Sequence, residues 1–337
     1  MDVAYQVGQV VLKGAMGLQE QWQSHLEQFR GARDAGFDTY CWAHHYLIHP
    51  FQHFQPWPVL ARLAAEAGDM KLATSVLLLP LLNPVDVAEQ AATLDHISEG
   101  RLILGLGLGY RPEECEAFGT RMPERGRRAS EALELMIRLW TEDEVTHHGR
   151  FFHVTGAKPT AQPYQKPHPK IWLAAMSDPA IRRVGREGHT LYVGPAQSQS
   201  SINNQIELYH ETLAENGHPV PEDMVIVREF FCAPSREKAL EKASWGFETK
   251  YREYNAHGFQ GTDPGLTEKM TGDLETLMDD TFIVGSPEEC VDQIASYHEM
   301  GFTQVSLRLF YPDMQQKDVM EHIELVGREV VPAVHLL

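Results

Sequence analysis

A chain of 337 residues with 43% hydrophobic content can bury a large core, and none of its apolar runs approaches membrane-spanning length. Its formal charge of −18 disfavours nucleic acid as a partner, because neutralising phosphates takes clustered Lys and Arg. Cys41, Cys115, Cys232 and Cys290 are scattered without a CxxC pair, which argues against a disulfide framework and a structural zinc site, and Met1-Asp2 leads into a strand-like segment with no apolar signal core. The expectation is a cytoplasmic protein with no membrane partner.

Residues 3–7 read as a first strand. Trp22, Leu26, Phe29 and Ala32 then recur at helical spacing, stop at Ala35-Gly36-Phe37 and lead into a strand at 38–43. The run 72–79 lacks polar alternation, as a strand covered on both faces requires, and Pro80 ends it. Asn83 offers a capping oxygen, Pro84 suits a first helical residue, and Val87, Ala88, Ala91, Leu94 and Ile97 follow at helical spacing up to Gly100. A strand at 102–106 makes this a parallel crossover unit.

A helix is expected at 127–140, then an insertion at 142–169 that includes a hairpin of 145–148 with 151–154. The strand 170–175 precedes a helix that opens at Asp178-Pro179 and stops at Gly188, followed by a strand at 189–193, a helix at 201–216 and a strand at 224–233. A second insertion, 248–281, is rich in Gly, Asp and Thr. Ser286-Pro287 with Glu289 forms a capping box for a helix ending at Gly301, before a strand at 303–309 and a helix at 317–330. Eight strands alternating with helices fit one α/β domain over 1–337, a (β/α)₈ TIM barrel with two loop insertions.

Chemistry in such a barrel sits at the C-terminal ends of the strands. His44, His45 and Tyr46 follow the second strand, Gly107, Leu108, Gly109 and Tyr110 the fourth, and Met176, Ser177 and Asp178 the fifth; Thr74 and Ser75 are the polar interruption inside the third. His45 is the acid–base candidate, set among Trp42, Tyr46, Phe51, Phe54 and Trp57; the plainer alternative is a hydrogen-bonded structural histidine. His45, His49 and His53 are four apart, yet Pro50, Pro56 and Pro58 oppose a shared helical face, and no metal is expected. Gly105, Gly107 and Gly109 do not follow G-x-G-x-x-G; they bare the backbone for a planar ligand or another chain segment. Ser177 and Asp178 open a helix whose N–H groups suit a phosphate, or Asp178 is simply its N-cap. Arg121, Arg125, Arg127 and Arg128 can hold an anion or form a solvated helix start paired with Glu124, Glu131 and Glu134.

The segments AGFDTYCWAHHYL, KLATSVLLLPLLNPVDVAEQAATLDHISEGRLILGLGLGYRPEECEAFG, ASEALELMIRLW, KPHPKIWLAAMSDPAIRRVGREG and IVGSPEECVDQIASYHEMGFTQV together resemble the bacterial luciferase-like superfamily of flavin-dependent oxidoreductases. The resemblance covers most of the chain except 248–281 and the C-terminal tail, and it implies reduced FMN, or a deazaflavin, at the strand C-termini. His45 then lies near the reactive face of the flavin, and the acid that many members carry before it is His44. A cis peptide between Ser75 and Val76 is implied beneath the ring, with Gly107 and Gly109 beside it. Leu108 stands where luciferase has a phosphate-holding Arg, so the phosphate falls to Met176, Ser177, Gly194 or an Arg from elsewhere. Glu222 and Met224 replace the Arg and His that alkanesulfonate monooxygenases place near the seventh strand, against a sulfonate substrate.

The activity so implied is that of a flavin-dependent monooxygenase: a separate flavin reductase supplies reduced FMN, dioxygen adds, and a flavin hydroperoxide oxygenates a small organic substrate, with His45 stabilising or protonating the peroxide. The alternatives are deazaflavin-dependent hydride transfer and a non-catalytic flavin-binding protein. Homodimers are common in the superfamily, and the Ala-rich helix around Ala88 and Ala92 can pack against a partner or within the barrel.

Overall fold

The long apolar runs become strands because β-branched and leucine side chains fill both faces of a covered sheet. A computed structural model describes residues 1–8, 10–195, 197–256, 281–312 and 314–337. Its strands are β1 (Asp2–Val7), β2 (Thr39–Trp42), β3 (Lys71–Leu78), β4 (Leu102–Gly107), β5 (Val145–His148), β6 (His153–Ala157), β7 (Lys170–Ala175), β8 (Thr190–Val193), β9 (Val225–Cys232), β10 (Ile283–Gly285) and β11 (Gln304–Arg308). The helices are α1 (Leu18–Asp34), α2 (Pro56–Ala64), α3 (Pro84–Ile97), α4 (Pro112–Ala117), α5 (Arg125–Thr141), α6 (Asp178–Glu187), α7 (Gln199–Glu215), α8 (Arg236–Ala256), α9 (Pro287–Glu299), α10 (Gln316–Glu329) and α11 (Val331–Val334). Strands β1, β2, β3, β4, β7, β8, β9 and β11 follow one another in chain order, the order of a (β/α)₈ barrel, with β10 added beside β9. Among the described residues no helix is long and apolar enough to cross a membrane.

Capping chemistry fixes the helix starts as the sequence suggests. Asn83 Oδ1 accepts from the Val85 N–H at 2.9 Å, and Ser286 Oγ and Glu289 Oε2 close a reciprocal box at 3.3 and 2.8 Å. Gly188 ends α6 at φ +70°, a conformation that L side chains rarely adopt.

Three elements depart from the sequence reading. Ile283–Gly285 is a ninth parallel strand, pairing with Phe230, Phe231 and Cys232, and is too short to announce itself. Helix α8 runs to Ala256, so 248–256 is helical and not part of a loop insertion, while 257–280 lies outside the described residues. Strand β6 begins at His153, because the preceding N–H groups are taken by a side chain: Glu131 Oε1 accepts from Phe151 N at 2.9 Å and Phe152 N at 2.8 Å, and its Oε2 from Arg150 N at 3.1 Å. Burial opposes ionisation of Glu131, but these hydrogen bonds outweigh it and hold the carboxyl below its usual range.

Two compact units interleave along the chain: Met1–Cys41 with Ile48–His53 and Trp172–Leu337, and Trp42–Leu47 with Phe54–Ile171. In the first, β7, β8, β9, β11 and β1 pair in parallel succession, and Tyr5 stacks on Tyr40 with centroids 5.2 Å apart. In the second, β3 pairs with β4, and Ala88, Ala91 and Ala92 of α3 are buried within the unit, where Trp140 Nε1 of α5 donates to Ala88 O at 3.0 Å. The Ala-rich face is therefore covered by its own chain.

Candidate active site

In the second unit, β2 stops at Trp42 and the chain turns through His44, His45 and Tyr46 to Leu47, which has φ +51°. His44 is buried, and its Nδ1 accepts from the Leu78 N–H at 3.1 Å, so that nitrogen carries no proton. His45 behaves oppositely. Its Nδ1 lies 3.0 Å from Glu114 Oε1, and the same oxygen accepts from the Tyr46 N–H at 2.7 Å. Gln55 Nε2 holds the His45 carbonyl at 2.9 Å, and Tyr110 packs against the imidazole with centroids 5.5 Å apart. The Glu114 side chain is 1% exposed and that of His45 12%, so the carboxylate is shut in while the ring retains an accessible edge.

The expected residues of β3 and β4 belong to this same unit. The Ser75–Val76 peptide is cis, and the β3–β4 register shifts between Thr74 and Leu77 around it. Thr74 Oγ1 donates to Gly105 O at 2.9 Å, and a Cβ on Gly105 would fall on Thr74 O. Of the two readings of the bare backbone, close approach of another chain segment therefore accounts for Gly105. Gly107 ends β4 opposite Leu78, and Gly109 sits at φ +72°.

Two residues here were missed by sequence reasoning, Glu114 and Arg111. Arg111 precedes α4 with its side chain 7% exposed; its Nε has no hydrogen-bond partner among the described residues, and Glu113 is 3.9 Å away. Three arginines of the 121–128 cluster have partners within the chain. Arg121 lies 3.7 Å from Glu124, and Arg125 Nη1 donates to Met122 O at 2.8 Å. Arg128 Nε donates to Pro80 O at 2.8 Å, with its guanidinium over the Phe152 ring at 4.5 Å. A single acidic pair at the start of a helix after a glycine-rich strand was the available signal for Glu114.

In the first unit, Ser177 is the N-cap of α6 and Asp178 its first residue, which corrects the assignment of the cap to Asp178. Gln205 Nε2 donates to Met176 O at 3.1 Å, and a Cβ on Gly194 would lie 3.1 Å from Met176 Sδ, so these two expected cofactor contacts are neighbours. The fully buried Arg228 secures the turn after β8: Nη1 donates to Gly194 O at 3.4 Å and Pro195 O at 3.3 Å, and Nε to Tyr297 Oη at 2.8 Å. Glu222 and Met224 precede β9, at its N-terminal end, and the strand's C-terminal half carries Glu229. Among the described residues no three His, Cys, Asp or Glu side chains gather where a metal ion could be held.

The family model described as luciferase-like monooxygenase matches residues 6–304. The 4-hydroxyprotoasukamycin monooxygenase of Streptomyces nodosus subsp. asukaensis is 29% identical over 81% of this chain and 76% of its own. An F420-dependent glucose-6-phosphate dehydrogenase of Intrasporangium calvum is 27% identical over 84% of this chain and 90% of its own. In fold, the chain is similar to the crystal structure of monooxygenase RslO1 from Streptomyces bottropensis, with TM-score 0.86, 23% identity and 100% of each chain covered. The chain belongs to the luciferase-like monooxygenase family, a family of oxidoreductases that includes both FMN-dependent monooxygenases and F420-dependent dehydrogenases.

Proposed function

We propose that this oxidoreductase is a monooxygenase that takes reduced FMN from a separate flavin reductase and uses dioxygen to oxygenate a small organic substrate. The observation that carries the reading is the state of His45: Nδ1 is committed to Glu114 at 3.0 Å, and the accessible edge of the ring is left to Nε2. A ring held in this way can take and return one proton at one atom, as general acid–base work requires. Reduced FMN, when bound, supplies the electrons and the activation of dioxygen.

The residues present fit such a group. Arg111, just before α4, offers a buried guanidinium whose Nε is unsatisfied among the described residues, close in sequence to Leu108 where the luciferase phosphate-holding Arg is missing. Ser75, Val76, Gly107 and Gly109 present mostly main chain on the unit that carries His45, which suits contact with a flat ring system. Met176, Ser177 and Gly194 are proposed as further cofactor contacts on their own unit. His45 holds or delivers the proton, and the buried surroundings of Glu114 limit water at its Nδ1 edge.

The F420-dependent relative favours a second reading, hydride transfer with a deazaflavin. Titrating the purified protein with reduced FMN and with F420 separates the two: selective tight binding of F420 would end the FMN proposal. If His45→Ala left oxygenation at its normal rate and coupling, the role given to His45 would be wrong.

A further inference from the structure

We infer that Glu114 is the positioning residue of His45: it fixes the proton of the neutral imidazole on Nδ1 and leaves Nε2 as the acceptor presented to the reacting group. The inference rests on the acid–base reading of His45 and adds to it the residue that sets which nitrogen works.

Glu114 Oε1 is an acceptor on geometric grounds, since it already takes the Tyr46 main-chain N–H at 2.7 Å. An oxygen in that role needs a proton on its other neighbour, and that neighbour is His45 Nδ1 at 3.0 Å. The two donors belong to adjacent residues, so one carboxylate oxygen clamps the side chain of position 45 and the main chain of position 46 together. Gln55 holds the His45 carbonyl from another direction at 2.9 Å. With a side chain only 1% exposed, Glu114 acts on the ring without solvent screening.

The neighbouring histidine cannot serve in its place. His44 uses its own Nδ1 to accept from Leu78 N at 3.1 Å, which ties it to β3. The acid expected beside the catalytic histidine is thus supplied across the unit, from the first turn of α4. When Nε2 takes up a proton, the imidazolium formed faces a carboxylate already in contact, and the pair goes from one negative charge to none; when Nε2 returns the proton, the Nδ1 proton remains where Glu114 holds it.

The test uses full-length protein labelled with nitrogen-15 at histidine, with the His45 signals assigned by their loss in His45→Gln. In the wild type at a pH where the ring is neutral, His45 should show the Nδ1-protonated form. Glu114→Gln, which keeps an acceptor oxygen in place, should retain that form, and Glu114→Ala should move the proton to Nε2. A wild-type ring protonated at Nε2, or a Glu114→Ala protein whose His45 form is unchanged, overturns the inference. Reoxidation of bound reduced FMN by dioxygen, followed by flavin absorbance, should then respond to Glu114→Ala about as strongly as to His45→Ala, on the order of tenfold or more. The tautomer measurement stands independently of that rate. If the tautomer responds as expected and His45→Ala leaves flavin chemistry untouched, the clamp is real and the acid–base reading of His45 is what has failed.

Discussion

Lys250 Nζ donates to both carboxylate oxygens of Glu229 at 2.8 Å, and neither side chain reaches solvent. Arg308 Nη1 adds a third contact at 2.8 Å from β11 to β9. Burial works against the Glu229 carboxylate, but the two cations outweigh it and hold the carboxyl below its usual range; burial, with Arg308, pushes the Lys250 ammonium down to about 7. Glu229→Gln would leave the buried Lys250 and the partly buried Arg308 without the carboxylate they share. Urea unfolding should show a loss of about 3 to 5 kcal/mol. A loss below about 1 kcal/mol would show that the cluster contributes little to holding α8 on the strands.

His322 predicts how the fold responds to acid. Its ring stacks on Phe231 with centroids 4.6 Å apart, its Nε2 accepts from Cys232 N at 3.0 Å, and its Nδ1 donates to Leu309 O at 3.2 Å. Burial pushes it from 6.5 down to about 4, so between those values the unfolded chain binds the extra proton. Stability is therefore full above 6.5 and falls as pH drops towards 4, by on the order of 3 kcal/mol for this group. His322→Asn should be less stable at pH 7 but lose less on acidification; parallel pH profiles for the two proteins would contradict this.

Two glycines near β4 should respond differently to the same change. Gly105→Ala drives a methyl into Thr74 O across the β3–β4 pairing, where main chain cannot yield cheaply, and should cost about 3 kcal/mol. Gly109→Ala meets, among the described residues, only Leu78 methyls at 3.7 Å and should cost about 1 kcal/mol, from its φ of +72°. Denaturant midpoints of the two variants would reveal a reversed order.

Arg111→Gln should reduce the preference for FMN over riboflavin by on the order of tenfold, measured by equilibrium titration of the reduced flavins. Equal weakening of both ligands would place the phosphate elsewhere.

Periodic signals were legible because they depend on near neighbours: the covered strand 72–79, the Asn83-Pro84 cap and the Ser286–Glu289 box all act within a turn or two. The same holds for His45 at a strand end. Its partner was not legible, since Glu114 lies 69 residues away and reaches the ring only once the turn at 42–47 and α4 meet within the second unit. Helix α8 was overlooked although Ala239, Ala243 and Phe247 are buried at helical spacing, because Trp245, Gly246 and the polar run beyond them blur the pattern. Assigning the cap to Asp178 erred by one residue, the usual scale of a helix boundary.

Glu131 recognises the turn of the β5–β6 hairpin through three main-chain N–H groups, at 150, 151 and 152, and through none of their side chains. That anchor can read no chemistry from those positions, so it accepts any residue that keeps its amide hydrogen. Proline is the one amino acid that this anchor rejects at all three positions.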